Sequence, residues 1–207
     1  MNVLLAEDHS IVIRGIKILF ETEFTNYNLE IVSTGCGLMN LLKTKTYQLA
    51  IIDLQLLDGD TLHVIKDISA LYPKLNMLIF TANAEEIYAQ RLYQEGIKGY
   101  INKQETEHEI LTAIRTTLEG KFYISESYKH LLLTKDQNYN VQNPFSKLSM
   151  RELEIVKLLL QGKRSQEICN ELNLQPSTIS TFKQKIFTKL NISNVLELNL
   201  LSNNFNK

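Results

Sequence analysis

The chain has 207 residues, of which 44% are hydrophobic and 22% charged, and its formal net charge is −1. That length suits two domains of ordinary size, and the composition excludes a disordered, fibrous or membrane-embedded chain. Charge is unevenly spread: residues 146–207 carry nine Lys/Arg against five Glu, while the preceding residues carry 13 Lys/Arg against 18 Asp/Glu. An acidic first part joined to a basic second part points to a polyanion as partner of the second part only. Glu7 and Asp8 interrupt the first apolar run and no basic region precedes it, so no secretory leader is expected. No apolar run approaches the roughly 18 residues that cross a bilayer. Cys36 and Cys169 lie far apart, without metal-site spacing. These features predict a cytoplasmic protein with two reduced thiols and no membrane partner.

Apolar runs fall at 3–6, 29–32, 49–52, 77–80 and 99–101. Runs of this kind without polar alternation suit parallel strands covered on both faces. Amphipathic helical patterns separate and follow them at 10–24, 37–43, 61–71, 85–95 and 106–118, the last with Ile110, Ile114 and Leu118 every four residues. The alternation predicts a doubly wound α/β fold of the flavodoxin-like kind, with a five-stranded parallel sheet, over residues 1–122. Residues 123–145 are polar with weak periodicity and read as a linker, in which Leu131, Leu132 and Leu133 suggest a short helix. Residues 146–207 read as an all-helical domain. Its signals are a capping box at Ser149-Met150-Arg151-Glu152, a stop at Gly162, a cap at Ser165, Pro176 in the first turn of a helix over 176–190, and a cap at Ser193.

Open parallel sheets bind ligands beyond the carboxyl ends of their strands, where the strand order switches. Those ends carry Glu7 and Asp8, then Asp53, Thr81 and Lys103. Taken singly, each has an ordinary reading: solvated loop charges for Glu7 and Asp8, a turn residue for Asp53, a surface charge for Lys103. Together they make a different proposition. Carboxylates converging at one sheet edge repel one another unless a hard cation joins them, and Mg²⁺ takes one or two carboxylates with phosphate oxygens and water. A lysine and a hydroxyl at neighbouring strand ends suit a phosphoryl group, which Asp53 attacks as nucleophile.

With the motifs Leu5-Ala6-Glu7-Asp8-His9, Ile51-Ile52-Asp53-Leu54, Ile79-Phe80-Thr81-Ala82 and Gly99-Tyr100-Ile101-Asn102-Lys103, residues 1–120 resemble a response-regulator receiver domain. The resemblance implies that Asp53 accepts a phosphoryl group from a sensor histidine kinase. It implies that Glu7, Asp8, Asp53 and the backbone carbonyl of Gln55 hold Mg²⁺, and that Thr81, Ala82, Tyr100 and Lys103 form the phosphate-binding and switch group. The family usually has a proline four residues after the acceptor and a glycine eight after it. Here Leu57 stands at the proline position and Gly59 comes at the sixth place, so the loop reads as about two residues short.

In the second domain, a helix over 176–190 places Ile179, Phe182, Ile186 and Leu190 on an inward stripe, with no acidic residue between Gln175 and Leu190. Its remaining faces offer Ser177, Thr178, Ser180, Thr181, Lys183, Gln184, Lys185 and Lys189. Hydroxyl and amide groups read base edges and lysines neutralise phosphates. Leu148-Ser149-Met150-Arg151-Glu152, Gly162-Lys163-Arg164-Ser165-Gln166-Glu167-Ile168 and Ser177-Thr178-Ile179-Ser180 resemble the LuxR-type helix-turn-helix domain of the NarL/FixJ group. The resemblance implies a four-helix domain that binds double-stranded DNA as a homodimer. The last helix, with Val195, Leu198 and Leu201, either mediates that dimer or completes the core.

The leading expectation is a phosphorylation-switched transcription regulator, not an enzyme beyond its own phosphorylation and dephosphorylation. A phosphorylation-independent DNA-binding regulator with a degenerate receiver is the alternative. A phosphatase using Asp53 as nucleophile is disfavoured, because no cap insertion follows any strand and the second domain would have no role.

Overall fold

The computed structural model describes residues 1–126, 128–129 and 143–205, with the side chains of residues 60 and 204–205 excepted. The described residues form two compact units, one from the β/α segment apart from Glu86–Arg91, and one from the C-terminal helices together with Glu86–Arg91.

The first unit alternates strand and helix. Its elements are β1 (Asn2–Ala6), α1 (Ser10–Glu23), β2 (Asn28–Val32), α2 (Gly35–Thr44), β3 (Leu49–Ile52), a small hairpin of β4 (Gln55–Leu56) and β5 (Gly59–Asp60), α3 (Leu62–Leu71), β6 (Asn76–Thr81), α4 (Glu85–Gln94), β7 (Gly99–Asn102) and α5 (Glu107–Leu118). The five long strands pair in parallel in the order β2-β1-β3-β6-β7. The chain therefore steps outward from β1 in one direction to β2 and in the other to β3, and the crevice between β1 and β3 is the switch point. Both sheet faces are covered, which is why these strands read as unbroken apolar runs. On one face Val3, Leu5, Leu49, Ile51, Leu78, Phe80 and Ile101 pack with Ile16 and Phe20 of α1 and with Ala113 and Ile114 of α5.

Every strand and helix read from the sequence in this unit is present. The β4–β5 hairpin was not foreseen. Residues 123–129, expected in the linker, belong partly to this unit: the Tyr123 N–H donates to the Lys98 carbonyl (2.8 Å), and the Tyr128 ring stacks on Tyr93 at 6.0 Å. The suggested helix at Leu131–Leu133 lies outside the described residues.

The second unit begins with a 3₁₀ turn, Pro144–Lys147, followed by α6 (Met150–Leu160), α7 (Ser165–Leu172), α8 (Pro176–Leu190) and α9 (Val195–Phe205). The Ser149–Glu152 capping box is formed in both directions. Gly162 takes φ +79°, which closes α6 with the Lys163 N–H on the Leu158 carbonyl. Two caps differ from expectation. At α7 the cap is Arg164, whose N–H donates to Glu167, and Ser165 is the first helical residue. At α9 the Asn194 side chain, not Ser193, accepts the Glu197 N–H (2.9 Å). In both places a Glu three residues into the helix accepts a backbone N–H from before it, Glu167 from Arg164 (2.6 Å) and Glu197 from Ser193 (2.7 Å).

Candidate functional site

Three backbone hydrogen bonds carry the sheet ladder one residue past the strands: Glu7 N–H to Val32, Asp53 N–H to Ala6, and Lys103 N–H to Thr81, all 2.9 Å. These bonds bring the ends of β1, β3 and β7 to one place. Glu7, Asp53 and Thr81 are buried there. Lys103 Nζ stands 2.5 Å from Glu7 Oε2 and 2.8 Å from Asp53 Oδ2, a single ammonium shared by two buried carboxylates. The Phe80 ring lies beneath that ammonium at 5.8 Å.

Glu7 Oε1 is fixed by the N–H groups of Asp8 (3.1 Å) and His9 (2.9 Å), and His9 Nδ1 lies 2.9 Å from it and 2.8 Å from Asp8 Oδ1. His9 is a member of the site that residue-by-residue reading passed over, although it stands next to the acidic pair. Potential ligand atoms of Glu7, Asp8, His9 and Asp53 all fall within 4.8 Å of one another. Asp53 Oδ1 is buried among them without a hydrogen-bond partner. Clustered carboxylates with an unsatisfied buried oxygen are a donor set for a hard divalent cation, so the residues fit Mg²⁺.

The loop after Asp53 corrects the expectation of a shortened segment. Helix α3 starts at Leu62, directly after the eighth residue beyond Asp53, so the spacing is kept and Thr61 occupies the glycine position. Thr61 has φ −94°, which any residue adopts, and its hydroxyl donates to the Asp53 carbonyl at 2.7 Å. The glycine has moved to the hairpin turn, where Gly59 takes φ +115°.

Thr81 and Tyr100 are joined through Asn83, a residue the sequence did not single out. The N–H and side-chain amide of Asn83 donate to Thr81 Oγ1 (3.4 and 3.2 Å), and its carbonyl accepts from Tyr100 OH (3.0 Å) and Asn102 Nδ2 (3.2 Å). Tyr100 is fully buried, and Ala82 between Thr81 and Asn83 is exposed.

In the second unit α7 and α8 are joined by a tight turn in which Asn173 is left-handed, with φ 51°. Ile179, Ile186 and Leu190 of α8 are buried and Phe182 is half-buried, as the stripe requires. Ser177, Ser180, Thr181, Gln184, Lys185 and Thr188 are exposed, while Thr178 and Lys183 are half-buried. Two lysines expected to face a polyanion also have internal partners. Lys189 Nζ lies 2.6 Å from Glu152 Oε2, and Lys183 Nζ donates to Ser165 Oγ at 3.3 Å. Burial works against the Glu152 charge, but Lys189 and the Ser149 cap outweigh it and hold the carboxyl below its usual range. On α9 Leu198 points inward, while Leu196 and Leu200 are 70% and 57% exposed. Of the stripe read from the sequence, Leu198 is buried and Val195 and Leu201 are half-buried, and its neighbours face out.

Comparison with known proteins places both units. Residues 3–115 match the response regulator receiver domain, and residues 146–201 match the bacterial regulatory proteins of the luxR family. Response regulator UvrY of Escherichia coli is 28% identical over 98% of this chain and 93% of its own length. Response regulator GacA of Pseudomonas protegens is 29% identical over 98% and 95%. Among solved structures, RcsB of Salmonella enterica serovar Typhimurium, bound to promoter P1flhDC in the presence of the phosphomimetic BeF₃⁻, superposes with a TM-score of 0.77 at 26% identity, covering 99% of this chain and 98% of RcsB. The chain is a response regulator of the NarL/FixJ group, with a receiver domain followed by a LuxR-type helix-turn-helix domain.

Proposed function

We propose that Asp53 accepts a phosphoryl group from the phosphohistidine of a sensor histidine kinase, and that this switches sequence-specific DNA binding by α8. The observation that carries the reading is the arrangement at Asp53: a buried carboxylate at a strand end, beside Glu7 and Asp8, with Lys103 Nζ 2.8 Å from its Oδ2. In the transfer the phosphorus–nitrogen bond breaks, a phosphorus–oxygen bond forms at Asp53, and the imidazole leaves with the electron pair. Glu7, Asp8, Asp53 and the Gln55 carbonyl are the residues to hold Mg²⁺, which supplies countercharge to the phosphoryl oxygens when bound. Lys103 pairs with a phosphoryl oxygen as a point charge, and Thr81 donates its hydroxyl to another.

When Thr81 turns to the phosphoryl group, Asn83 loses its acceptor there, and the change passes through the Asn83 carbonyl to Tyr100 and Asn102. A coupling of a few kcal/mol between the two arrangements suffices to change the active population. RcsB has been solved on promoter DNA and as two dimers bound to two parallel DNAs. For this chain, Ser177, Thr178, Ser180, Thr181 and Gln184 are the groups to meet base edges, and Lys183, Lys185 and Lys189 the phosphate contacts. The exposed Leu196 and Leu200 of α9 are the surface for a homodimer. The protein works in the cytoplasm; among the described residues no helix is long and apolar enough to cross a membrane. Its only chemistry is gain and loss of its own phosphoryl group. Incubation with acetyl phosphate and Mg²⁺ tests the acceptor: intact mass gains one phosphoryl group in the native chain and none in Asp53→Asn. Labelling that survives in Asp53→Asn refutes the assignment.

A further inference from the structure

The hairpin that follows Asp53 has strands of two residues each, with Gln55 opposite Asp60 and Leu56 opposite Gly59. A hairpin this short does not hold its own shape in water. Its outer end is tied elsewhere. The Asp58 carboxylate accepts the Gly35 N–H (2.7 Å) on Oδ1 and the Cys36 N–H (2.9 Å) on Oδ2, and the Leu57 N–H donates to the Ser33 carbonyl (3.1 Å). Helix α2 already has a local cap, since Thr34 Oγ1 accepts the Gly37 N–H at 3.0 Å. Asp58 reaches α2 from 22 and 23 residues away, so it acts as a cross-brace between two loops rather than as a routine cap. Both bonds are charge-assisted and use both carboxylate oxygens, which fixes orientation as well as distance.

We propose that Asp58 is a positioning residue for the divalent-cation site, holding the hairpin on the start of α2 so that Gln55 stays beside Asp53. Gln55 lies two residues after the acceptor and three before Asp58, and Thr61 pins the other end of the segment to the Asp53 carbonyl at 2.7 Å. With Asp58 removed, that second anchor remains but the hairpin end is released, and the Gln55 carbonyl must be ordered each time a cation binds. The proposal rests on the Asp53 site being the cation site. Residues that orient metal ligands from outside change metal affinity by about 10-fold or more when replaced.

The test is calorimetric titration of the full chain with MgCl₂, for the native protein, Asp58→Ala and Asp58→Asn, beside thermal melts in EDTA. The expected result is Mg²⁺ binding weakened about 10-fold in Asp58→Ala. Asp58→Asn should fall between, because its amide oxygen can accept one N–H while its NH₂ opposes the other. Labelling of Asp58→Ala by acetyl phosphate should return to the native extent when Mg²⁺ is raised by the same factor. Asp58→Asn carries the test if the alanine variant does not fold. A role confined to stability predicts lower melting temperatures with unchanged Mg²⁺ affinity, and that result overturns the proposal, as does lost labelling that added Mg²⁺ does not restore. A native chain that neither binds Mg²⁺ nor takes up phosphate refutes the acceptor site itself, and this proposal with it.

Discussion

Thr61→Val is the sharpest test of how the acceptor loop is held. The exchange conserves shape and replaces only the hydroxyl that donates to the Asp53 carbonyl at 2.7 Å. Thr61 is 1% exposed, so no water takes the place of the lost donor. A buried carbonyl stripped of its partner costs about 1–3 kcal/mol. For a chain of this size each kcal/mol lowers the melting temperature by about 2–4 °C, so the receiver transition should fall by several degrees. Scanning calorimetry of the full chain is the assay. Thr61→Ser keeps the hydroxyl and should recover most of the loss. Thr61→Gly, the residue usual in this family at that place, should be the worst of the three, since it removes the bond and adds about 0.5–1 kcal/mol of chain entropy. A valine variant that melts within a degree of the native chain, or a glycine variant that melts higher, refutes the reasoning.

Other expectations concern the DNA-binding half. Glu152 has a folded pKa below its ordinary 4.5, so the stability it contributes is present above that pH and is lost as pH falls through the lower folded value. Glu152→Gln should therefore be less stable than the native chain at neutral pH and lose less on acidification; urea denaturation across that range checks it, and parallel pH profiles for the two would contradict it. Lys185 is exposed and has no ion pair among the described residues, whereas Lys189 is paired with Glu152. Lys185→Ala should reduce the salt dependence of DNA binding by about 0.9 in the log–log slope without touching stability. Lys189→Ala should lower the stability of the helical unit, because it leaves Glu152 as a buried unpaired charge. Fluorescence anisotropy on labelled DNA, with melts alongside, separates the two.

The sheet was legible because a parallel strand covered on both faces must be apolar throughout, and the runs at 3–6, 49–52 and 77–80 say so directly. The acidic pair, Asp53, Thr81 and Lys103 were legible because strand ends at a switch point are few. Their convergence turned ordinary residues into a candidate site. What escaped depended on partners distant in sequence. Nothing local to Asp58 announces that it clasps Gly35 and Cys36. Asn83 works through its backbone carbonyl, which every residue possesses. The glycine at 59 misled the reading of loop length: hairpin and loop both attract glycine, and only the start of α3 at Leu62 shows which one it serves. On α9 helical periodicity found the stripe but not which side faces inward, so Leu196 and Leu200 emerged as the exposed pair only in three dimensions.

In the proposed switch, charge arriving at Asp53 controls what α8 does on DNA. Its most direct measurement is DNA affinity of the full chain with Mg²⁺, with and without beryllofluoride, on sequences selected by the protein itself, with Asp53→Asn in parallel. Binding should tighten with beryllofluoride, by a factor of about 5 to 150 for a coupling of ordinary size, and Asp53→Asn should not respond. Equal affinity in both conditions, or a response that persists without the Asp53 carboxylate, would contradict it.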